Sequence, residues 1–145
     1  MNRRDIKLPR EAKIQFRAIP ETYGTTVEYR LEYRVDPDDQ EHRYGEEKHS
    51  RLFGLIKLTT KIDYSQYWLN THIFSGLCPE ESETHYMNYS LGILIKNKNE
   101  LNNYKDHYHT IEEFENHLIN MSNHNYDNWK VKRERFLKES NSVLY

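Results

Sequence analysis

From Val27 to Val35 apolar and polar residues alternate without a break, with Val27, Tyr29, Leu31, Tyr33 and Val35 set against Glu28, Arg30, Glu32 and Arg34. A period of two turns successive side chains to opposite faces of an extended chain, so this segment predicts a half-exposed strand of an antiparallel sheet. The same phase runs through residues 12–19, where Ala12, Ile14, Phe16 and Ala18 are set against Lys13, Gln15 and Arg17. Pro20 cannot donate to a ladder and Gly24 accepts a positive φ, so residues 20–24 read as the turn that joins the two strands into a hairpin.

Asp36, Pro37, Asp38 and Asp39 stop the second strand, and the polar stretch to Ser50 shows no periodicity, which predicts a long loop over 36–50. A connection of that length inside a compact domain is either functional or poorly ordered. A third strand is expected over 52–62, with Leu52, Ile56, Leu58, Thr60 and Ile62 on one face and Gly54 as a bulge. A turn over 63–66 leads to a fourth strand over 67–74, and an irregular segment over 75–85 contains Gly76, Pro79 and three glutamates. Met87, Tyr89, Leu91, Ile93 and Ile95 alternate with Asn88, Ser90 and Gly92 as a fifth strand.

After Lys98 the period changes to 3.6. Asn99 is placed to cap a short helix carrying Leu101, Tyr104 and Tyr108, and Thr110 with Glu113 forms a capping box ahead of Ile111, Phe114, Leu118 and Met121. Ser122, Asn123, His124 and Asn125 interrupt that pattern, and a last helix is expected over 127–139 with Trp129, Arg133, Phe136 and Leu137 along one side. Its Trp129, Phe136 and Leu137 are assigned to the core. Strands joined by connections too short for helical crossovers, followed by helices, predict an α+β domain: a meander-like antiparallel sheet of about five strands (12–96) with two or three C-terminal helices (99–139) on one face. The 145 residues read as one domain, long enough to bury a core without disulfides or metal.

Cys78 is the only cysteine, which is expected of a reducing compartment and hence of a cytoplasmic protein; the bacterial host cell follows only from the resemblance given below. Neither a secretory signal nor an apolar run of bilayer-spanning length is expected, so no membrane partner is assigned. A net charge of −2 excludes a strongly basic nucleic-acid binder and a strongly acidic DNA mimic. The total conceals a segregation. Basic residues gather in 3–17 and again at Lys130, Lys132, Arg133, Arg135 and Lys138, while acidic ones gather in 36–47, 80–83 and 106–115. Twelve tyrosines against five phenylalanines favour residues that are half buried and serve at interfaces.

Eight histidines raise acid–base or metal chemistry, and His107, His109 and His117 are the set that an enzyme would use, as a small nuclease or phosphodiesterase. No cysteine pair or His-Glu-x-x-His helix accompanies them, and no metal or other cofactor is assigned. The His-x-Thr tetrads of two-histidine phosphoesterases need a second pair and a different spacing. Asp36, Asp38 and Asp39 lack the glycine and distal glutamate of a calcium loop. Glu46, Glu47 and Lys48 show the carboxylate-x-lysine spacing of some metal-dependent nucleases, but in a loop, and Arg43 with His49 resembles a helical ribonuclease pair outside any helix. Five scattered glycines form no phosphate cradle.

The Asn-, Lys-, Ile- and Tyr-rich usage of the whole chain resembles that of small proteins of phages and other mobile elements of A+T-rich bacteria. That resemblance implies a non-enzymatic, macromolecule-binding protein of the anti-CRISPR, anti-restriction or host-takeover kind, whose partner is a host protein or ribonucleoprotein complex. The expected contacts are Tyr23, Arg43 and Tyr44 in the loops, with Arg30 and Arg34 on the charged face of the second strand. Replacing Arg43 and Tyr44 together is expected to weaken binding without moving the thermal midpoint. Nucleic acid is the other candidate partner, through Lys130, Lys132, Arg133 and Arg135.

Overall fold

The computed structural model describes residues 7–71 and 92–143. Strands β1 (Ile14–Tyr23) and β2 (Thr26–Val35) form a long antiparallel hairpin, in register from Ile14 opposite Val35 to Tyr23 opposite Thr26. The far side of β2 is shared by two short strands still to come, β5 (Leu69–Asn70) beside Glu32 and Tyr33 and β6 (Leu94–Ile95) beside Tyr29 and Arg30, both antiparallel. Between them in sequence, β3 (Tyr44–Arg51) and β4 (Ile56–Asp63) pair only with each other, as a separate two-stranded ribbon. A single 3-10 turn at Lys98–Glu100 precedes helix α1 (Leu101–His107), and α2 (Ile111–Val143) runs to the end of the described residues. Antiparallel strands followed by C-terminal helices make this an α+β fold, as the periodicity predicts.

Where strand and turn meet, tertiary pairing moved the boundaries. The expected turn at 20–24 is instead strand as far as Tyr23. Pro20 sits opposite Tyr29 on the outer strand of the sheet, a place where a missing N–H breaks no ladder. The turn shrinks to Gly24 and Thr25, with Gly24 at φ 62° in the first loop position, where a type II′ hairpin requires glycine. The loop predicted for 36–50 is ordered, and its second half is β3. Tyr44–Arg51 has little intrinsic preference for strand, so its form is imposed by the ladder to Ile56, Thr59, Thr60 and Ile62 of β4. Residues 52–55 form the ribbon's turn, not the start of a strand with a bulge at Gly54. Of the expected fourth and fifth strands, residues 72–74 and 87–91 lie outside the described residues, as do the 75–85 segment and Cys78.

The core lies between the apolar face of the β1–β2 hairpin and the first turns of α2. Phe114 is its hub, with its ring centroid 4.7 Å from that of Phe16, 5.1 Å from Tyr33 and 5.5 Å from Tyr108, all near edge-to-face. Leu31, Tyr33, Val35, Ile111, Leu118, Leu69 and Ile95 close round it. Burying an aromatic or aliphatic side chain of this size contributes about 1.5–3 kcal/mol, and several sharing one contact surface select this packing over others.

The start of α2 is built as its sequence predicts. The Thr110 hydroxyl accepts from the Glu113 N–H at 3.2 Å, and the Glu113 carboxylate reaches back to the His109 N–H at 2.8 Å. The Ile111 and Glu112 N–H groups, otherwise without helical acceptors, donate to the carbonyls of Ala12 and Arg10 at 2.9 Å, which ties the N-terminal segment to the helix. The 3-10 turn ahead of α1 is capped by Asn97, not Asn99. The interruption expected at 122–125 is absent: α2 is one helix of 33 residues, roughly 50 Å long. Ser122 is buried against the body, and no glycine or proline occurs from Ile111 onward, so the weak turn preference of Ser and Asn does not break the helix. Beyond Ser122 no described residue of α2 is buried. Phe136 and Leu137, expected in the core, are exposed at 66% and 49%.

Candidate functional site

The face of the sheet turned away from α2 carries the alternating charges of β2, and they answer one another. Arg30 pairs with Glu21 and with Glu32, and Glu32 also accepts from Arg17 at 2.7 Å. Glu32, expected on an exposed face, is only 4% exposed. Arg34 donates to Gln15 at 2.8 Å and to the Ser65 carbonyl at 3.0 Å. Trp68 lies between Arg17 and Arg34, whose guanidinium carbons stand 4.2 and 4.3 Å from its ring centre. Arg30 and Arg34 are therefore committed to an internal network.

Arg43 and Asp63 hold the root of the β3–β4 ribbon. The Arg43 guanidinium donates to both Asp63 oxygens, at 3.0 Å from Nε and 2.9 Å from Nη2, and Asp63 also accepts from the Ser65 hydroxyl at 2.6 Å. Those donors, the guanidinium foremost, hold the Asp63 carboxyl well below the usual aspartate range. Gly45 completes the root: a Cβ there would stand closer than 3.0 Å to the Tyr64 ring. Arg43 is thus a supporting residue, and its replacement will move the thermal midpoint, so the Arg43 and Tyr44 pair is no clean probe of binding. Tyr44 remains a surface residue, 45% exposed, with Arg43 and Lys61 about equally close to its ring at 5.0 and 4.9 Å. Tyr23, at the end of β1, is 43% exposed and donates its hydroxyl to Glu21 at 2.5 Å.

From this root the ribbon extends about 27 Å, at 3.4 Å per residue over eight residues, and its two faces differ. Ile62, Thr60, Leu58 and Ile56 follow one another on one face, buried at Ile62 and open at Leu58 and Ile56. Lys61, Thr59 and Lys57 of β4 share the other face with Glu46, Lys48 and Ser50 of β3. The tip is Leu52, Phe53, Gly54 and Leu55, closed by a Leu55 N–H to Leu52 carbonyl hydrogen bond of 3.1 Å. Leu52, Phe53 and Gly54 all take left-handed backbone, at φ 53°, 56° and 84°. Bulky side chains rarely adopt that region, since Cβ crowds the following carbonyl. All three apolar side chains nonetheless face solvent, Leu55 at 85% and Phe53 fully.

The histidines do not assemble. His107 bonds through Nδ1 to the Asn103 carbonyl at 2.6 Å, His109 is held through its backbone and has an exposed side chain, and His117 meets the Tyr108 hydroxyl through Nδ1 at 2.9 Å. Burial lowers the pKa of His117. Among the described residues no group of three or more His, Cys, Asp or Glu side chains could hold a metal ion. Asp39, one of the loop carboxylates, instead accepts from the Lys13 N–H at 2.8 Å and from His42. A shallow cleft of about 420 Å³ between β1 and the end of α1 is lined by Lys13, Gln15, Asp36, Lys105, Tyr108 and His109 among others. On α2, Lys130, Lys132 and Arg135 are exposed, and Arg133 follows on the same half of the helix.

Sequence reasoning missed the ribbon tip. Its signal was the Leu52, Phe53, Gly54 and Leu55 run itself, in which Phe53 and Leu55 fall out of phase with Leu52, Ile56 and Leu58, but the low strand preference of 44–51 concealed the partner that makes it a turn. No helix among the described residues is long and apolar enough to cross a membrane. Comparison with protein-family models, with curated proteins and with solved structures finds no match.

Proposed function

We propose that this is a non-enzymatic macromolecule-binding protein whose docking element is the β3–β4 ribbon. The target class suggested by its residue usage is a host enzyme or immune complex, inhibited on behalf of a phage or other mobile element. One observation carries the reading: Phe53 stands fully exposed at the apex of a projecting hairpin, on a left-handed backbone that glycine or asparagine would occupy at less cost. Both features disfavour the isolated fold, and both are relieved or rewarded when an aromatic anchor enters a pocket on a partner. Leu52 and Leu55 beside it, and Ile56 and Leu58 behind it, supply an apolar patch, with lysines at the rim as protein interfaces arrange them.

The test is a comparative pull-down from a low-G+C bacterial lysate, with and without nuclease, using tagged wild type and a Phe53→Ser/Leu55→Ser double variant. The expected result is a partner retained in near-stoichiometric amount by the wild type and lost by the variant, with unchanged circular dichroism. Equal retention by both proteins would remove the ribbon from the interface; no partner on the wild type would remove the binding reading.

A further inference from the structure

The charge of the ribbon narrows the chemistry of what it meets. In a chain of net charge −2, the fifteen residues from Lys48 to Ile62 carry Lys48, Arg51, Lys57 and Lys61 and no carboxylate. Lys48, Lys57 and Lys61 lie on one face, Lys48 and Lys57 are exposed, and the root of that face holds Tyr44 and Glu46, the latter opposite Lys61, so the uncompensated charge lies toward the tip. A second projection repeats the bias: beyond Ser122, α2 sets Lys130, Lys132, Arg133, Arg135 and Lys138 against Asp127, Glu134 and Glu139. Carboxylates are absent from the outer part of the ribbon, whose root holds Glu46 and Glu47, and are outnumbered five to three on α2 beyond Ser122. Two elements that leave the body thus carry a positive field which the whole molecule lacks.

We propose that the ribbon's ligand is double-stranded nucleic acid, with the lysine face along the phosphates and Phe53 and Leu55 wedged against a base step. This rests on the reading of the ribbon as the docking element and replaces, for that element, the protein target suggested by residue usage. Two-stranded antiparallel ribbons lie in duplex grooves, and from the minor groove apolar side chains inserted between base steps grip a deformed duplex. An anionic membrane is the other polyanion an apolar tip and lysines suit. It presents one plane, whereas the basic positions of α2 lie at spacings of two, one, two and three residues from Lys130 to Lys138 and so spread round the helix. Charges on several sides of a helix meet phosphates only where these rise on both flanks, as in a groove.

The experiment is fluorescence anisotropy on a labelled mixed-sequence DNA duplex of about 30 base pairs, titrated with the full chain from about 50 to 300 mM salt. Wild type should bind with affinity that falls steeply with salt. In a Lys48→Gln/Lys57→Gln variant the log–log slope should drop by about two, at roughly 0.9 for each phosphate no longer neutralised. Phe53→Ser should weaken binding about tenfold with the slope unchanged, since it removes stacking and no charge. All three positions are exposed, so circular dichroism should show an intact fold for each variant.

Absence of duplex binding by the wild type would overturn the proposal, as would a slope indifferent to the lysine variant. Binding to phosphatidylserine vesicles without binding to duplex would overturn it in favour of a membrane surface. If the pull-down yields a protein partner that depends on Phe53 while duplex binding is absent, the docking role stands and only the nucleic-acid assignment falls.

Discussion

Three titratable side chains on core and root link the packing to pH, and they act in different windows. His117 is half buried with its Nδ1 facing the Tyr108 hydroxyl, and burial lowers its pKa, so the folded state holds the proton less well than the unfolded chain. Stability is then complete above the ordinary histidine value near 6.5 and declines as pH falls below it. Asp63 is depressed by its donors, so its contribution is present above the ordinary aspartate range and is lost as pH falls further. Glu115 runs the other way. Burial pushes its carboxyl up against the opposing pull of Arg10 and the Tyr33 hydroxyl, and the stability it confers when protonated is lost as pH rises. The melting temperature should therefore fall between pH 7.5 and 5.5, and a His117→Gln variant should show less of that fall. Thermal melts at matched ionic strength decide it, and an undiminished slope in the variant would clear His117 of the role.

For the secondary elements, the ribbon and α2 illustrate opposite relations between local preference and final form. The ribbon tip contradicts local preference at Leu52 and Phe53, whereas α2 accommodates Ser122, Asn123 and Asn125 because nothing in the segment forbids a helix. If Phe53 is retained for binding, replacing it with a residue suited to the left-handed region should stabilise the free protein. Phe53→Asn is expected to gain about 1 kcal/mol in a denaturant or thermal melt while losing the partner. A lower melting temperature for Phe53→Asn would mean that the phenylalanine packs on something within the chain.

At the scale of the whole molecule, a compact body carries two projections. The body is the β1–β2 hairpin with β5, β6, α1 and α2 as far as Ser122, and among the described side chains those of α2 that are buried lie within it. A chain ending at Asn123 should keep a cooperative transition within a few degrees of the full chain, because no described side chain beyond Ser122 is buried. A broad or strongly lowered transition would show that the distal helix supports the body. The same truncation should also remove one of the two positive projections, leaving the ribbon's charge intact.

Sequence alone determined what depends on local periodicity and local hydrogen bonding. The unbroken alternation over 27–35, the phase of Ile14, Phe16 and Ala18, and the Thr110 and Glu113 cap each specify an element before any partner is present, and together they yield the α+β class. Tertiary structure decided everything that requires a second segment. Tyr44–Arg51 becomes a strand only through its ladder to β4; Pro20 is tolerated only because β1 lies at the sheet edge; Glu32 is buried because Arg17 and Arg30 converge on it from positions fifteen and two residues away. The candidate site was the least legible part, for the same reason. Leu52, Phe53 and Leu55 are apolar residues that a period-two reading assigns to a strand, and only the pairing of the residues on either side turns them outward. An exposed apolar apex is a property of two strands meeting, and no single stretch of chain encodes it.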